Sequence, residues 1–164
     1  MGEKNKNINS FKGEYFFLSN FYEAPVTYGG ITYQNNEAAF QAQKVAPKKG
    51  EIPFADPRLE FADLSPSEAK KKGRRVILRK DWEQVKYGIM KAIVYAKFSQ
   101  NEDLKEKLLE TSDAYLEEGN TWGDRVWGTV NGEGKNLLGH ILMDIRDALY
   151  CEKQTDELKN RFYE

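Results

Sequence analysis

Apolar side chains at helical spacing are the feature of this sequence that most constrains its fold. Within residues 81–99, Trp82 and Ile93 fall on the same face of a helix. A second periodic stretch begins after Asn136 and continues to Leu149. Two such stretches predict that helices dominate the structure.

Capping signals show where helices begin. In residues 65–68 a serine can cap, a proline fits the first turn, and a glutamate lies three residues after the cap. A helix is therefore expected from this point toward Ile77. Asp81 is predicted to start the long helix by the same logic.

Short extended segments are expected beside these helices. Residues 25–33 predict a hairpin that turns at Gly29 and Gly30. Residues 14–18 are predicted to form a buried strand, and residues 114–117 a further short strand.

The chain shows no internal repeat and no linker. Residues 1–12 are polar and predict a flexible lead-in. Residues 13–164 are then expected to form one domain. Its predicted class is a mixed α/β fold of the α+β type, mostly helical with a few short strands.

The charge balance limits the partners that the protein can have. Among 164 residues, 25 are Lys or Arg and 26 are Asp or Glu, so the formal net charge is −1. This balance argues against binding nucleic acid mainly by bulk charge. A small phosphorylated ligand held by a local basic cluster is compatible with it.

The sequence also indicates where the protein works. Cys151 is the one cysteine, so an intramolecular disulfide is impossible and a reducing compartment is indicated. Residues 1–10 lack the apolar core of a signal peptide, and no apolar run is as long as a membrane span. We expect a cytoplasmic protein without a membrane partner; the oligomeric state stays open.

A polar stripe is the first candidate site. Asn35 or Asn36 can cap a helix that runs to about Val45, and spacing places Glu37, Gln41 and Lys44 on one face of it. A carboxylate, an amide and an amine on a rigid element can serve a site. The alternative is that Glu and Lys merely complement the helix dipole, and spacing alone favours that alternative.

A glycine-rich segment, residues 119–139, is the second candidate. A loop with flat aromatic side chains beside charged ones is suited to stacking a planar heterocycle and bonding its edge. The alternative is that Trp122 and Trp127 pack in the core. The candidate residues here are Glu118, Trp122, Asp124, Arg125 and Trp127.

A basic run over residues 70–80 is the third candidate. Most of these cations are expected to be solvated, but Arg74 has the forked geometry that grips a phosphate. Gly73 would let a ligand come close to the backbone.

Several chemistries lack their residues. His140 is the one histidine and is expected at the surface, so neither a zinc signature nor a Cys–His pair is present. The sequence has no P-loop and no dinucleotide fingerprint. We expect neither a metal nor a cofactor, which leaves carboxylates and lysine for catalysis.

Ordered sequence blocks resemble the NADAR family, also called YbiA-like. The resemblance implies a compact, mostly helical YbiA-like fold over residues 13–149. The blocks lie at 17–22, 30–33, 37–44, 81–82, 96–101, 127–128 and 134–146. The resemblance implies that Ser19, Asn20 and Phe21 of the first block and Gln41 of the third help to bind the substrate.

The resemblance also implies N-glycosidase activity. One branch of the family hydrolyses early phosphorylated intermediates of riboflavin synthesis and releases ribose 5-phosphate. Another branch removes ADP-ribose from guanine bases, including those in nucleic acid. The chain departs from the family at Ala38, where a histidine is frequent, and this weakens any mechanism that needs one there.

These implications assign roles to the candidate residues. Glu37 is expected to stabilise positive charge on the sugar or to activate water, and Lys44 to act as a nucleophile or as an anchor. The other expected roles are stacking of the base by Trp127 with Trp82 or Trp122, reading of polar groups by Asp124 and Asn136, and binding of the phosphate by Arg74.

Two rival hypotheses belong to other classes. A module that binds ADP-ribose or a nucleotide without cleaving it would not need both Glu37 and Lys44. A helical interaction protein would have to use the glycine-rich loop for packing alone.

Overall fold

The computed structural model describes residues 6–46 and 56–163. They belong to two compact units, one formed by Asn20–Asn101 and the other by the residues before and after that segment. The strands are β1 (Glu23–Tyr28) and β2 (Ile31–Asn35). The α-helices are α1 (Asn36–Ala42), α2 (Pro66–Gly73), α3 (Trp82–Gln100), α4 (Glu102–Glu110) and α5 (Leu137–Tyr163). Helical turns of the 3-10 type cover Gly13–Leu18 and Pro57–Phe61.

The predicted hairpin is present in the unit Asn20–Asn101. Val26 of β1 pairs with Tyr33 of β2 in an antiparallel register, and both side chains are buried. Gly29 and Gly30 have φ angles of +59° and +82°, which suit glycine in a tight two-residue turn. The prediction from the glycine pair is confirmed.

Helix α1 begins where the sequence predicts and ends earlier. The Asn35 side chain accepts a hydrogen bond from the backbone N–H of Ala38 at 2.8 Å, as an N-cap should. The last helical residue is Ala42 and not Val45, so Lys44 lies in the turn that follows the helix.

Helices α2 and α3 differ in how they begin. Ser65 and Glu68 form the complete capping box that the sequence predicts, although α2 ends at Gly73 rather than near Ile77. Asp81 is the N-cap residue of α3, as predicted, but its side chain makes no capping hydrogen bond, because its carboxylate binds the Arg79 guanidinium at 2.6 and 2.9 Å instead.

Helices α4 and α5 build the core of the other unit. Leu104 and Leu108 of α4, with Leu138 and Ile141 of α5, are almost fully buried. The run at 14–18 is part of a 3-10 helix, so the prediction of a strand there is wrong.

The first described residues are integrated into this unit. Ile8 pairs with Leu116 in an isolated parallel bridge, and Phe11 is buried. Residues 8–12 therefore do not belong to a flexible lead-in, and residues 114–117 contribute one bridge instead of a strand. The expected class is confirmed, since helices predominate beside a small two-stranded sheet. In the described part of the chain, no helix has both the length and the apolar character needed to cross a membrane.

Candidate active site

Glu37 lies in a buried polar setting at the start of α1. Its Oε1 accepts a hydrogen bond of 2.8 Å from Gln41 Nε2, and its backbone N–H donates to the Asn20 carbonyl at 3.1 Å. Glu37 is only 9% exposed and Gln41 5%. The structure thus brings three predicted site residues together, with the carboxylate close to the positive end of the helix dipole.

Two asparagines hold the segment that Glu37 contacts. Asn36 Nδ2 donates to Asn20 Oδ1 at 3.2 Å, and Asn20 Nδ2 donates to Met90 Sδ at 3.5 Å. All three residues are buried. Sequence reasoning considered Asn36 only as a cap, so its part in this amide pair was missed.

Lys44 lies beside the indole of Trp82. Its Nζ is 5.9 Å from the Trp82 ring centroid, and the Phe40 ring packs 5.0 Å from the same indole. Burial lowers the pKa of Lys44, and Arg74 lowers it further, whereas Glu37 acts in the opposite direction. At a given pH, a larger fraction of this amine is therefore neutral than on an exposed lysine.

Other cations surround this amine. Lys70 and Lys86 also act on Lys44 electrostatically, although Lys86 forms an ion pair with Glu83 at 2.7 Å. Lys70 Nζ lies 6.0 Å from the ring centroid of Phe21, another predicted site residue. Arg74, at the C-cap of α2, is exposed. Cations gathered around a half-buried amine suit an anionic ligand.

The space next to Gly73 is already filled. A Cβ built on Gly73 would overlap Gln41 Oε1 and lie 2.8 Å from Gln41 Cδ. The glycine therefore admits a neighbouring side chain, and the expectation that it lets a ligand approach the backbone is wrong.

Lys97 of α3 is a buried lysine to which sequence reasoning assigned no role. It is 1% exposed, with Nζ 5.4 Å from the Tyr22 ring centroid and 5.0 Å from that of Phe98. Burial lowers the pKa of Lys97 to about 7. A lysine within an otherwise apolar helical stripe was the signal available in the sequence.

In the other unit, Asp124 organises the glycine-rich loop. One of its oxygens accepts hydrogen bonds from the backbone N–H groups of Val126 and Trp127, both at 2.9 Å. Part of the carboxylate therefore serves the loop itself. Trp127 is half-buried, whereas Trp122 is 58% exposed, so core packing does not explain Trp122.

Asn120 is a hub of this loop that the sequence did not reveal. It is buried, its Nδ2 donates to the carbonyls of Asp124 and Thr129 at 2.8 and 3.0 Å, and its Oδ1 accepts from the Asp124 N–H at 3.0 Å. These bonds join the two sides of the loop across several residues, which no local pattern predicts.

Asn136 holds the backbone at Glu118. Its Oδ1 accepts from the Glu118 N–H at 3.0 Å, and its Nδ2 donates to the Leu116 carbonyl at 2.9 Å. The residue is 2% exposed with φ of +50°. An asparagine so buried shapes the chain around the half-buried Glu118, and its predicted role in reading polar groups of the substrate stays a prediction.

The remaining predicted residues have simple surroundings. Ser19 caps the 3-10 helix Gly13–Leu18, and its backbone N–H donates to the Phe16 carbonyl at 2.9 Å. His140 is exposed, as predicted. Within residues 6–46 and 56–163, no three His, Cys, Asp or Glu residues form a cluster that could hold a metal ion.

Comparison with known proteins assigns the family. The model of the NADAR domain matches residues 8–150. The chain belongs to the NADAR family. That match begins at Ile8, the first buried residue in the described part of the chain, and includes Glu37 and Asp124.

Named relatives and a solved structure agree with this NADAR assignment. The N-glycosidase YbiA of Shigella flexneri serotype 5b (strain 8401) is 39% identical over 151 residues, which are 90% of this chain and 89% of the relative. A riboflavin biosynthesis protein of Vibrio vulnificus is 35% identical over 81% of this chain and 35% of its own length. The NMR structure of E. coli YbiA matches with a TM-score of 0.75 and 38% identity, over 91% of this chain and 86% of that one.

Proposed function

We propose that this NADAR protein is an N-glycosidase that hydrolyses the bond between a phosphorylated ribose and a nitrogen of a nucleobase-like ring. The substrate that we propose is an early intermediate of riboflavin biosynthesis, a small molecule. Relatives named for N-glycosidase activity and for riboflavin biosynthesis support both statements. A cytoplasmic location is part of the proposal, because one exposed cysteine suits a reducing compartment.

One observation carries the proposal: a buried carboxylate, Glu37, is held by Gln41 in the same unit as a half-buried amine, Lys44, beside an indole. Cleavage of an N-glycosidic bond develops positive charge at the anomeric carbon. A carboxylate held in place stabilises that charge without reorganising during the reaction.

The hydrolysis can be written with its atoms balanced. As the bond from C1′ to the ring nitrogen breaks, water adds its oxygen to C1′ and gives a proton to Glu37. The same proton then passes to the departing nitrogen. The products are ribose 5-phosphate and the free base, and the carboxylate is regenerated.

Lys44 offers an alternative route to the same products, through a covalent adduct with the sugar. Its neutral amine attacks C1′, the ring nitrogen leaves with a proton, and ring opening gives a Schiff base that water hydrolyses. The lowered pKa of Lys44 supports this role. As an anchor, Lys44 would instead stay charged and hold the phosphate with Arg74.

Recognition of the substrate is proposed from the other predicted residues. Arg74 and Lys70 are proposed to attract the phosphate by charge, and Trp82, which is 6% exposed, supports the Lys44 amine with its ring. The glycine-rich loop belongs to the other unit, and the stacking predicted there for Trp122 and Trp127 and the polar contacts predicted for Glu118 and Asp124 stay predictions.

Replacing Glu37 tests the proposal. Glu37→Gln keeps the shape of the side chain and removes its basicity, so the rate of ribose 5-phosphate release should fall at least roughly 100-fold. Circular dichroism should show unchanged folding. Glu68→Gln, at a solvent-facing capping box, is the matched control and should keep its rate. A Glu37→Gln enzyme with near-normal turnover would remove this carboxylate from the mechanism.

A further inference from the structure

Gly73 ends α2 at a point of close contact with α1. It is buried, and its φ angle lies outside the left-handed region, so the backbone does not require glycine. A glycine inside a helix costs stability relative to alanine. The missing side chain must therefore serve the contact itself, and that contact is with Gln41.

The Gln41 amide has only one workable orientation. Its Nε2 donates to Glu37 Oε1, and turning the amide over would place its oxygen against the carboxylate. Its Oε1 must then face Gly73, and it has no hydrogen-bond partner in the described part of the chain.

The same geometry explains what Oε1 touches. A Cβ at Gly73 would overlap this oxygen, so the hydrogen that glycine carries in that direction points at it. A Cα–H group facing an amide oxygen is a weak but favourable contact. Gly73, Gln41 and Glu37 thus lie in a chain of direct contacts that ends at a carboxylate.

We propose that Gly73 is a positioning residue for Glu37 and acts through Gln41, an inference that rests on the proposed function. Any side chain at position 73 displaces the Gln41 amide from the slot that it occupies. Glu37 then loses the donor that orients its carboxylate toward the reacting carbon. Because the Glu37 carboxylate acts at the reacting carbon, the main effect is expected in kcat rather than in KM.

A double-mutant cycle on kcat tests the inference. Gly73→Ala and Gln41→Ala should each lower kcat by about 10- to 100-fold, the range for losing a hydrogen bond to a charged group. Combining them should give a kcat close to that of Gln41→Ala alone, because the Oε1 and Cδ atoms that the methyl group would displace are then gone and only a 3.2 Å contact with the Cβ of residue 41 remains. Additive losses would overturn the inference, as would an unchanged kcat in Gly73→Ala.

Gly88→Ala is the matched control. Gly88 is a second helical glycine, in α3, and a Cβ built on it meets nothing within 4 Å. Its replacement should leave kcat and KM unchanged. If Gly73→Ala fails to fold, the Gly73→Ala/Gln41→Ala protein decides: folding of the double variant supports a clash with Gln41, and its failure to fold overturns the inference.

A spectroscopic signal separates this inference from the proposed function. The side-chain amide resonances of Gln41 should move in Gly73→Ala and in Glu37→Gln, and stay unchanged in Gly88→Ala. If Glu37→Gln proves fully active while Gly73→Ala moves the Gln41 signal, the role of Glu37 in catalysis fails and the contact stands. An unmoved Gln41 signal in Gly73→Ala overturns the contact, whatever the activity of Glu37→Gln.

Discussion

Replacing Lys97 by methionine should stabilise the protein at neutral pH. Burial lowers the pKa of Lys97 from 10.5 to about 7, because the folded state disfavours the protonated, charged form of this amine. Between about pH 7 and 10.5 the unfolded chain binds a proton that the folded protein has released. The contribution of Lys97 to the free energy of unfolding must therefore rise with pH across this window. The cost of burying the amine is fully present below pH 7.

The size of the effect follows from the same two values. Each pH unit between 7 and 10.5 corresponds to about 1.4 kcal/mol, so the cost at pH 7 is about 4 kcal/mol and at pH 9.5 about 1 kcal/mol. Methionine has a similar length and no charge. Lys97→Met should thus gain about 4 kcal/mol over the original protein at pH 7, and most of that gain should vanish by pH 9.5.

Urea unfolding at several pH values measures this difference. Lys91→Met is the control, since Lys91 is exposed on the same helix, and its effect should be within about 1 kcal/mol at every pH. Groups other than Lys97 titrate equally in both proteins and cancel in the comparison. A Lys97→Met protein that is less stable at pH 7, or whose difference does not change with pH, would refute the reasoning.

Three further outcomes are expected. Borohydride added during turnover should trap the sugar on Lys44, as seen by peptide mass spectrometry; no adduct, together with an active Lys44→Arg enzyme, would make Lys44 an anchor. Exhaustive chelation should leave activity unchanged, because carboxylate and amine carry the chemistry; loss of activity that added metal restores would defeat this. Asn136→Gly should be more stable than Asn136→Ala by about 1 kcal/mol, because φ is +50° there, and equal melting temperatures would contradict that explanation.

Local signals in the sequence predicted local structure well. The capping box at Ser65, the Asn35 cap and the Gly29–Gly30 turn each rest on bonds among residues close in the chain, and all are present. The pairing of Glu37 with Gln41 also follows from helical spacing, since the residues are four apart.

Features that depend on distant partners escaped prediction. Ile8 and Phe11 lie in a polar stretch, yet Ile8 pairs with Leu116, more than 100 residues away. No local pattern in the sequence predicted that α1 ends before Lys44.

The site shows the same limit. Asn120 and Asn136 are buried residues whose hydrogen-bond partners lie up to 21 residues away, so neither resembles a functional residue by spacing. Gly73 looked like a place for a ligand because its neighbour, Gln41, lies 32 positions earlier in the chain. Long-range packing decides such assignments, and a single sequence does not display it.

Product identification tests the central claim most directly. The protein should be incubated with phosphorylated aminopyrimidine intermediates of riboflavin synthesis and, separately, with ADP-ribosylated guanosine, and the products identified by mass spectrometry. The account predicts ribose 5-phosphate and a free aminopyrimidine from the first substrate in equal amounts, formed at least roughly 100-fold more slowly with Glu37→Gln. Release of ADP-ribose from guanosine alone would assign the other branch of the reaction, and intact substrate in both mixtures would contradict N-glycosidase activity.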